Sequence, residues 1–247
     1  MQTISAVHDE CGDVQNYIAL FSDVTTIKQH QAQLDYIAHY DALTGLANRL
    51  LLGDRLRLAL SQSYRRGQFM AVAYLDLDGF KAVNDTHGHM VGDQLLTALA
   101  KRMAHGLRDG DTLGRLGGDE FVAVLVDLAD IEASVPILTR LLEAAAQPFP
   151  IGNIVLNVSA TMGVTFYPQG TAVDADQLLR QADQAMYQAK QAGKNCYHVF
   201  DDAQDREVRG HYETLEHIRQ ALATRQFTLY YQPKVNMRTG AVIGAEA

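Results

Sequence analysis

The sequence predicts an α+β fold, an antiparallel sheet with helices packed against it. Three observations point there. Between residues 41 and 200, apolar runs of strand length alternate with amphipathic stretches of helical period. Two strand pairs are joined by turns at Gly117-Gly118 and Gly152-Asn153, which favour antiparallel hairpins. The resulting β-α-β-β-α-β order, with extra elements, suits a sheet with one face covered by helices.

Taken in order, strand Asn16–Ser22 follows a Cys11-Gly12-Asp13 turn. A lone strand is not stable, so residues 1–23 are expected to be the C-terminal remnant of a preceding domain. Residues 24–40 are helical by pattern, with Ile27 and Leu34, and His30 and Ile37, each seven apart. That stripe suits a two-helix linker between domains, and equally an amphipathic helix packed on the domain that follows. Helix Arg49–Arg66 precedes strand Phe69–Leu77, and helix Val91–Leu107 sets Val91, Leu95, Leu99, Met103 and Leu107 along one face. Strands Asp111–Leu116 and Phe121–Val126 flank the Gly-Gly turn. Helix Ile131–Ala146, a second hairpin over Phe149–Phe166, helix Asp176–Ala192 stopping at Gly193, and strand Cys196–Phe200 complete the domain. Residues 201–226 read as a linker helix, with Leu215, Ile218 and Leu222 on its apolar face. Residues 227–247 begin with strand Phe227–Tyr231 and are expected to be the truncated start of a third domain.

Composition narrows the function classes. An apolar content of 47% with 20% charged residues is that of a water-soluble globular chain. No apolar run approaches the ~20 residues that span a bilayer, and no N-terminal signal pattern is present. A net charge of −8 argues against a nucleic-acid surface, so an anionic substrate needs metal ions or a few placed cations. Cys11 and Cys196 fall in separate segments and read as reduced thiols of a cytoplasmic protein.

The chemistry gathers at strand ends. The Gly117-Gly118 turn delivers Asp119 and Glu120, and its lack of side chains lets a bulky ligand approach the backbone. Strand Phe69–Leu77 is apolar until Asp76-Leu77-Asp78-Gly79-Phe80-Lys81. Acids there need pairing or a metal, and hard carboxylate oxygens suit Mg²⁺ shared with substrate phosphates. Asp76 and Asp119 would converge on that metal from adjacent strands. Alternatively, Asp76 and Asp78 cap the helical turn that follows. Gly79 opens backbone N–H groups at a helix start to a phosphate, and Lys81 adds a point charge. Asn84 and Asp93 together match the hydrogen-bonding edge of guanine, or serve as a turn residue and a first-turn helix acid. Lys190 and Lys194 either complement a helix dipole or bind a triphosphate tail.

The segments Asp41-Ala-Leu-Thr-Gly-Leu-Ala-Asn-Arg49, Asp76-Leu-Asp-Gly-Phe-Lys81 with Asn84-Asp85, Gly92-Asp93, Arg115-Leu-Gly-Gly-Asp-Glu-Phe121 and Lys190-Gln-Ala-Gly-Lys-Asn195 together resemble a GGDEF-family diguanylate cyclase over residues 41–200. The resemblance implies a polymerase-palm, ferredoxin-like α+β fold. It also implies condensation of two GTP into cyclic di-GMP across a homodimer, with Mg²⁺ (or Mn²⁺). By matching position, it implies that Asp76, the Leu77 carbonyl and Asp119 hold metal, with Glu120 in the same cluster. Asp119 or Glu120 would assist deprotonation of the ribose 3′-OH. Gly117 and Gly118 would make room for GTP, Asn84 and Asp93 would read guanine, Gly79, Phe80 and Lys81 would form the phosphate loop, and Lys190 and Lys194 would contact the tail. Lys194 stands where many members carry Arg, and so lacks the bidentate fork. Arg108-Asp109-Gly110-Asp111 matches the family's RxxD site, implying product inhibition through Arg108 and Asp111.

The flanks carry shorter resemblances. Asn16–Thr25 is similar to the last strand of a PAS sensor, which would make residues 24–40 its signalling helix. Phe227–Val235, with Gly244-Ala-Glu-Ala247, is similar to the opening of an EAL phosphodiesterase domain, with Glu246 as that motif's metal-binding acid. The expectation is an active cyclase. The competing reading is a silent module that binds GTP or cyclic di-GMP and regulates an adjoining EAL domain.

Overall fold

The computed structural model describes residues 2–8, 11–21, 23–152, 154–201 and 230–246. It divides into two units, Met1–Phe200 and Asp201–Ala247. The first opens with an antiparallel hairpin, β1 (Gln2–His8) and β2 (Val14–Phe21). The sequence pattern shows only the second of these strands, because Gln2–His8 mixes polar and small residues and stands out only once its partner is known. Helix α1 (Thr25–His39) follows, with Ile27, Leu34, Tyr36 and Ile37 all exposed. Its heptad stripe is therefore not buried against the domain.

The central elements are α2 (Arg49–Arg66), β3 (Phe69–Asp78), α3 (Phe80–His87), α4 (His89–His105), β4 (Thr112–Gly117), β5 (Glu120–Leu128), α5 (Val135–Ala146), β6 (Phe149–Ile151), β7 (Ile154–Leu156), β8 (Ser159–Tyr167), α6 (Ala175–Gln191) and β9 (Tyr197–Val199). Five strands form one sheet in the order β4-β5-β3-β8-β9, antiparallel except for the last pair, which is parallel. Helices cover both faces rather than one. Ala71, Ala73, Leu75 and Leu77 of β3 pack with α3, α4 and α5, while Met70, Val72 and Tyr74 pack with α2 and α6. A strand apolar at every position signals this arrangement, since both of its faces must be covered.

The expected hairpin over Phe149–Phe166 is divided. β6 and β7 form a separate two-stranded sheet, and β8 leaves them to pair along β3 from Met70 to Asp78. The apolar residues of β8 are buried on both faces, which a place beside β3 satisfies and a free hairpin does not.

The seat of α6 on β8 fixes the later geometry. Ala182, Ala185 and Ala189 are fully buried, and Gly163 opposite them has no room for a side chain. A Cβ there would overlap the Ala182 carbonyl and the Met186 amide. Gln181 locks the register: its Oε1 accepts from the Thr165 hydroxyl at 2.9 Å and from Gln169 Nε2 at 2.8 Å. Across the sheet, Arg102 lies 3.7 Å from the centroid of the Phe149 ring and donates to the Ala144, Gln147 and Pro148 carbonyls at the end of α5.

In the second unit, β10 (Gln232–Val235) and β11 (Val242–Glu246) form an antiparallel hairpin, with the Asn236 side chain accepting from the Arg238 and Thr239 amides in the turn. Of the strand expected at Phe227–Tyr231, Tyr230 and Tyr231 are not in a strand and precede β10, and residues 227–229 lie outside those described. The helix expected around Leu215, Ile218 and Leu222 also lies outside them. Among the described residues no helix is long and apolar enough to cross a membrane.

Gly163→Ala is expected to cost about 1–3 kcal/mol by forcing α6 off the sheet. Urea denaturation measures it, and an unchanged midpoint would show that α6 is not seated on Gly163.

Candidate functional site

The end of β3 gathers most of the acids that the sequence singles out. In register, Asp76 faces Glu120 on β5 and Thr161 on β8. Asp76 and Glu120 lie on the sheet face covered by α2 and α6, where Tyr74 donates a hydrogen bond to Glu120. Burial first, then the Glu120 charge, pushes the Tyr74 phenol well above its ordinary range, so it remains a donor. Lys190, reaching from α6, places Nζ 2.8 Å from Asp76 Oδ1, with only 16% of the Asp76 side chain exposed. Asp119 sits in the turn, and its carboxyl is pushed up by burial first and then by the Asp76 charge. Asp183, two helical turns before Lys190, is also pushed up, by burial and by Asp76, with Lys190 opposing.

Acids held this way mark a place short of positive charge. Among the described residues no three Asp, Glu, His or Cys side chains are already drawn around one point to hold a metal ion. The donor types still suit a hard divalent cation: the Asp76 and Asp119 carboxylates with the Leu77 carbonyl.

The turn itself is held from behind. Its central pair is Gly118-Asp119, flanked by Gly117 paired with Glu120, one residue later than the sequence suggested. Gly117 and Gly118 take φ of 148° and 51°, so neither position favours a side chain. Arg115 donates from Nε and Nη2 to the Gly118 carbonyl, at 3.0 and 2.7 Å, and from Nη1 to Asp41 Oδ1 at 2.9 Å. Asp41 also accepts from the Thr44 amide and hydroxyl. The Arg115 amide donates to the Ala47 carbonyl, and Asn48 donates from Nδ2 to the Ala38 carbonyl in α1 while capping α2. Residues 41–48 thus connect the end of α1 to the Gly118 carbonyl through Arg115. Burial acts to raise the Asp41 carboxyl, but Thr44 and Arg115 outweigh it and hold it below the usual carboxylate range.

On the other side of Asp76, Gly79 with φ 83° starts α3 with no side-chain cap. The first N–H groups of α3, at Phe80 and Lys81, therefore carry no side-chain acceptor. Asp78 does not cap this helix, so the capping alternative fails; its carboxylate turns to β8 and accepts from Ser159 and Thr161. Asn84 lies one turn along α3, with its buried Oδ1 lacking any hydrogen-bond partner among the described residues. Gly92 on α4 is the surface it lies against, since a Cβ there would overlap Asn84 Oδ1. Asp93 is exposed next to it, at a cleft of about 370 Å³ that includes Leu43 and Thr97. Lys81 and Lys194 are exposed.

Arg108 and Asp111 stand apart. They precede β4, whose six residues separate them by roughly 17–20 Å from the turn that follows it. Asp111 accepts from the Arg108 and Val126 amides, and Arg108 is exposed. Tyr74, Asp183, Asp41 and Arg115 were given no role from the sequence. The seven-residue spacing of Asp183 and Lys190 on one helix was the available signal for the second. The Asp41–Arg115 pair, 74 residues apart, had none in a single chain.

A family model described as "Diguanylate cyclase, GGDEF domain" matches residues 38–196. The bifunctional diguanylate cyclase/cyclic di-GMP phosphodiesterase MucR of Pseudomonas aeruginosa is 40% identical over 223 residues, 90% of this chain and 32% of that protein. The cyclic di-GMP phosphodiesterase PdeR of Escherichia coli is 34% identical, over 92% of this chain and 33% of that protein. The chain thus spans about a third of the length of these curated relatives. Among solved structures, the GGDEF domain of TpbB (YfiN) from Pseudomonas aeruginosa superposes with a TM-score of 0.66 at 33% identity, covering 69% of this chain and 99% of that one. The coiled coil and GGDEF domain of DgcB from Caulobacter crescentus, in complex with c-di-GMP, gives 0.63 at 25% identity, over 71% and 93%.

Asp41→Ala is expected to cost about 1–3 kcal/mol at neutral pH by leaving the Arg115 charge without its carboxylate partner. Because the Asp41 pKa is lower folded than unfolded, its contribution is complete above the ordinary carboxylate pKa and fades as pH falls through the lowered value. Urea midpoints of wild type and variant should converge in acid; curves that stay parallel would rule out this linkage.

Proposed function

Because the chain belongs to the GGDEF diguanylate cyclase family, matched over residues 38–196, we propose that it condenses two GTP into cyclic di-GMP and releases two pyrophosphates. Each 3′-oxygen forms a bond to the other nucleotide's α-phosphorus as that phosphorus loses pyrophosphate. The observation that carries the proposal is the buried Asn84 amide oxygen against Gly92, one turn along α3 and without a partner among the described residues. A buried acceptor with no partner is costly, and the N–H groups of a guanine edge would satisfy it.

The residues then take these roles. Asn84 and Asp93 read the base. The uncapped start of α3, at Gly79, Phe80 and Lys81, holds phosphate, and Gly117 and Gly118 leave room for the nucleotide. Asp76, Asp119 and the Leu77 carbonyl would hold Mg²⁺ (or Mn²⁺), with Glu120 beside them. That ion would acidify the 3′-OH and neutralise charge on the departing pyrophosphate. Asp119 or Glu120 takes the 3′-OH proton, and Lys190 exchanges its bond to Asp76 for the triphosphate tail, alongside Lys194. A homodimer is required, since each protomer binds one GTP. The exposed stripe of α1 supports a pairing helix at residues 24–40. Arg108 and Asp111, remote from the acids, fit a separate site for inhibitory product. A GTP substrate implies a cytoplasmic setting. Residues 1–23 are assigned to the end of a PAS-like sensor and residues 227–247 to the start of an EAL domain, with residues 201–226 as the linker between 41–200 and that start.

A second reading is a regulatory module that binds GTP or cyclic di-GMP without turnover and controls an adjoining phosphodiesterase. Its support is that similar proteins include two named as cyclic di-GMP phosphodiesterases, NbdA of Pseudomonas aeruginosa and PdeR.

With GTP and Mg²⁺, the chain is expected to make cyclic di-GMP at a rate per protomer that rises with protein concentration. Asp119→Ala should lower it by about 100-fold or more. Nucleotide binding with no product from a demonstrably dimeric sample would select the regulatory reading.

A further inference from the structure

We infer that Asp78 is a positioning residue for the substrate's triphosphate, acting through the loop between α6 and β9. The inference rests on the nucleotide-binding reading above. Asp76 and Asp78 lie two apart on β3 and share one face, yet their partners divide sharply. Asp76 takes the Lys190 ammonium. Among the described residues Asp78 pairs with no cation. Its Oδ2 accepts from the Ser159 hydroxyl at 2.7 Å and from the Asn195 amide at 3.3 Å, and the Thr161 hydroxyl lies 2.9 Å from both carboxylate oxygens. Thr161 is fully buried, and its oxygen lies 3.2 Å from the same Asn195 amide.

These bonds hold a loop that would not otherwise keep its shape. Lys194 and Asn195 both have left-handed backbone, with φ of 64° and 48°, which non-glycine residues adopt only where their surroundings enforce it. The Lys194 amide is anchored on the Ala189 carbonyl, at 3.2 Å, and the next amide is anchored on Asp78 and Thr161. Of the two candidate tail cations, Lys194 therefore sits on a turn pinned to the central strand, and Lys190 lies in the last turn of α6, just before it. A carboxylate with its oxygens committed to three donors is suited to this anchoring task rather than to a metal ion.

The test titrates the full chain with GMP and with a GTP analogue bridged by methylene between its α- and β-phosphates, both with Mg²⁺, by calorimetry. Asp78→Asn should weaken the triphosphate analogue roughly tenfold, as for one lost charge-assisted contact, and leave GMP unchanged. Thr161→Val should reproduce that selective loss, and Thr161→Ser, which keeps the hydroxyl, should restore wild-type binding. The Thr161 pair decides the matter if Asp78→Asn fails to fold. Variants that bind both nucleotides like wild type, or lose both by the same factor, overturn the inference. A wild-type chain that binds neither nucleotide overturns the nucleotide reading itself, and this inference with it.

Discussion

Asp76 stands on the middle strand of the sheet, between β5 and β8, and at that depth its charge requires an opposite one. Much of the structure serves that requirement. Lys190 answers it from α6, and can do so only because Ala182, Ala185 and Ala189 bring that helix down onto Gly163. Asp119 and Asp183 crowd the same region, and both carboxyls are pushed up by burial and by Asp76. One ammonium among these acids leaves a local excess of negative charge. A divalent cation with a phosphate tail would rebalance it, freeing Lys190 for the phosphates.

The acids are useful only if the turn that bears Asp119 keeps its place. Two glycines with positive φ make that turn pliable, and Arg115 makes it firm by gripping the Gly118 carbonyl. Arg115 is itself held by Asp41, within the segment that leads back to α1 through Asn48 and Ala38. A displacement of α1 would therefore reach the turn through a short series of hydrogen bonds, which is a physical route for an upstream signal to the acids.

Much of this was legible in the sequence because it was local. Gly-Gly before Asp-Glu, acids ending an apolar strand, and a glycine opening α3 each follow from the chemistry of a few neighbouring residues. The placement of β8 was not, because the choice between hairpin and central strand depends on which faces other elements bury. Nor was the contrast between Asp76 and Asp78: both ended the same strand, and only Ser159, Thr161 and Asn195, brought from distant segments, separate their roles. The place of Asn84 was half legible. Asn84 and Asp93 suggested a guanine edge, but the need for glycine at 92 shows only when α3 and α4 are packed.

The end of β3, with Asn84 and Gly92 beside it, is proposed to bind a guanine nucleoside triphosphate with a divalent cation. The most direct measurement is a structure of the chain with Mg²⁺ and a non-reactive GTP analogue, alongside competition by the matching ATP analogue. Guanine is expected against Asn84 and Gly92, with phosphates at the start of α3, Lys190 released from Asp76, and no displacement by the adenine compound. A nucleotide bound elsewhere, or equal binding of guanine and adenine, would contradict it.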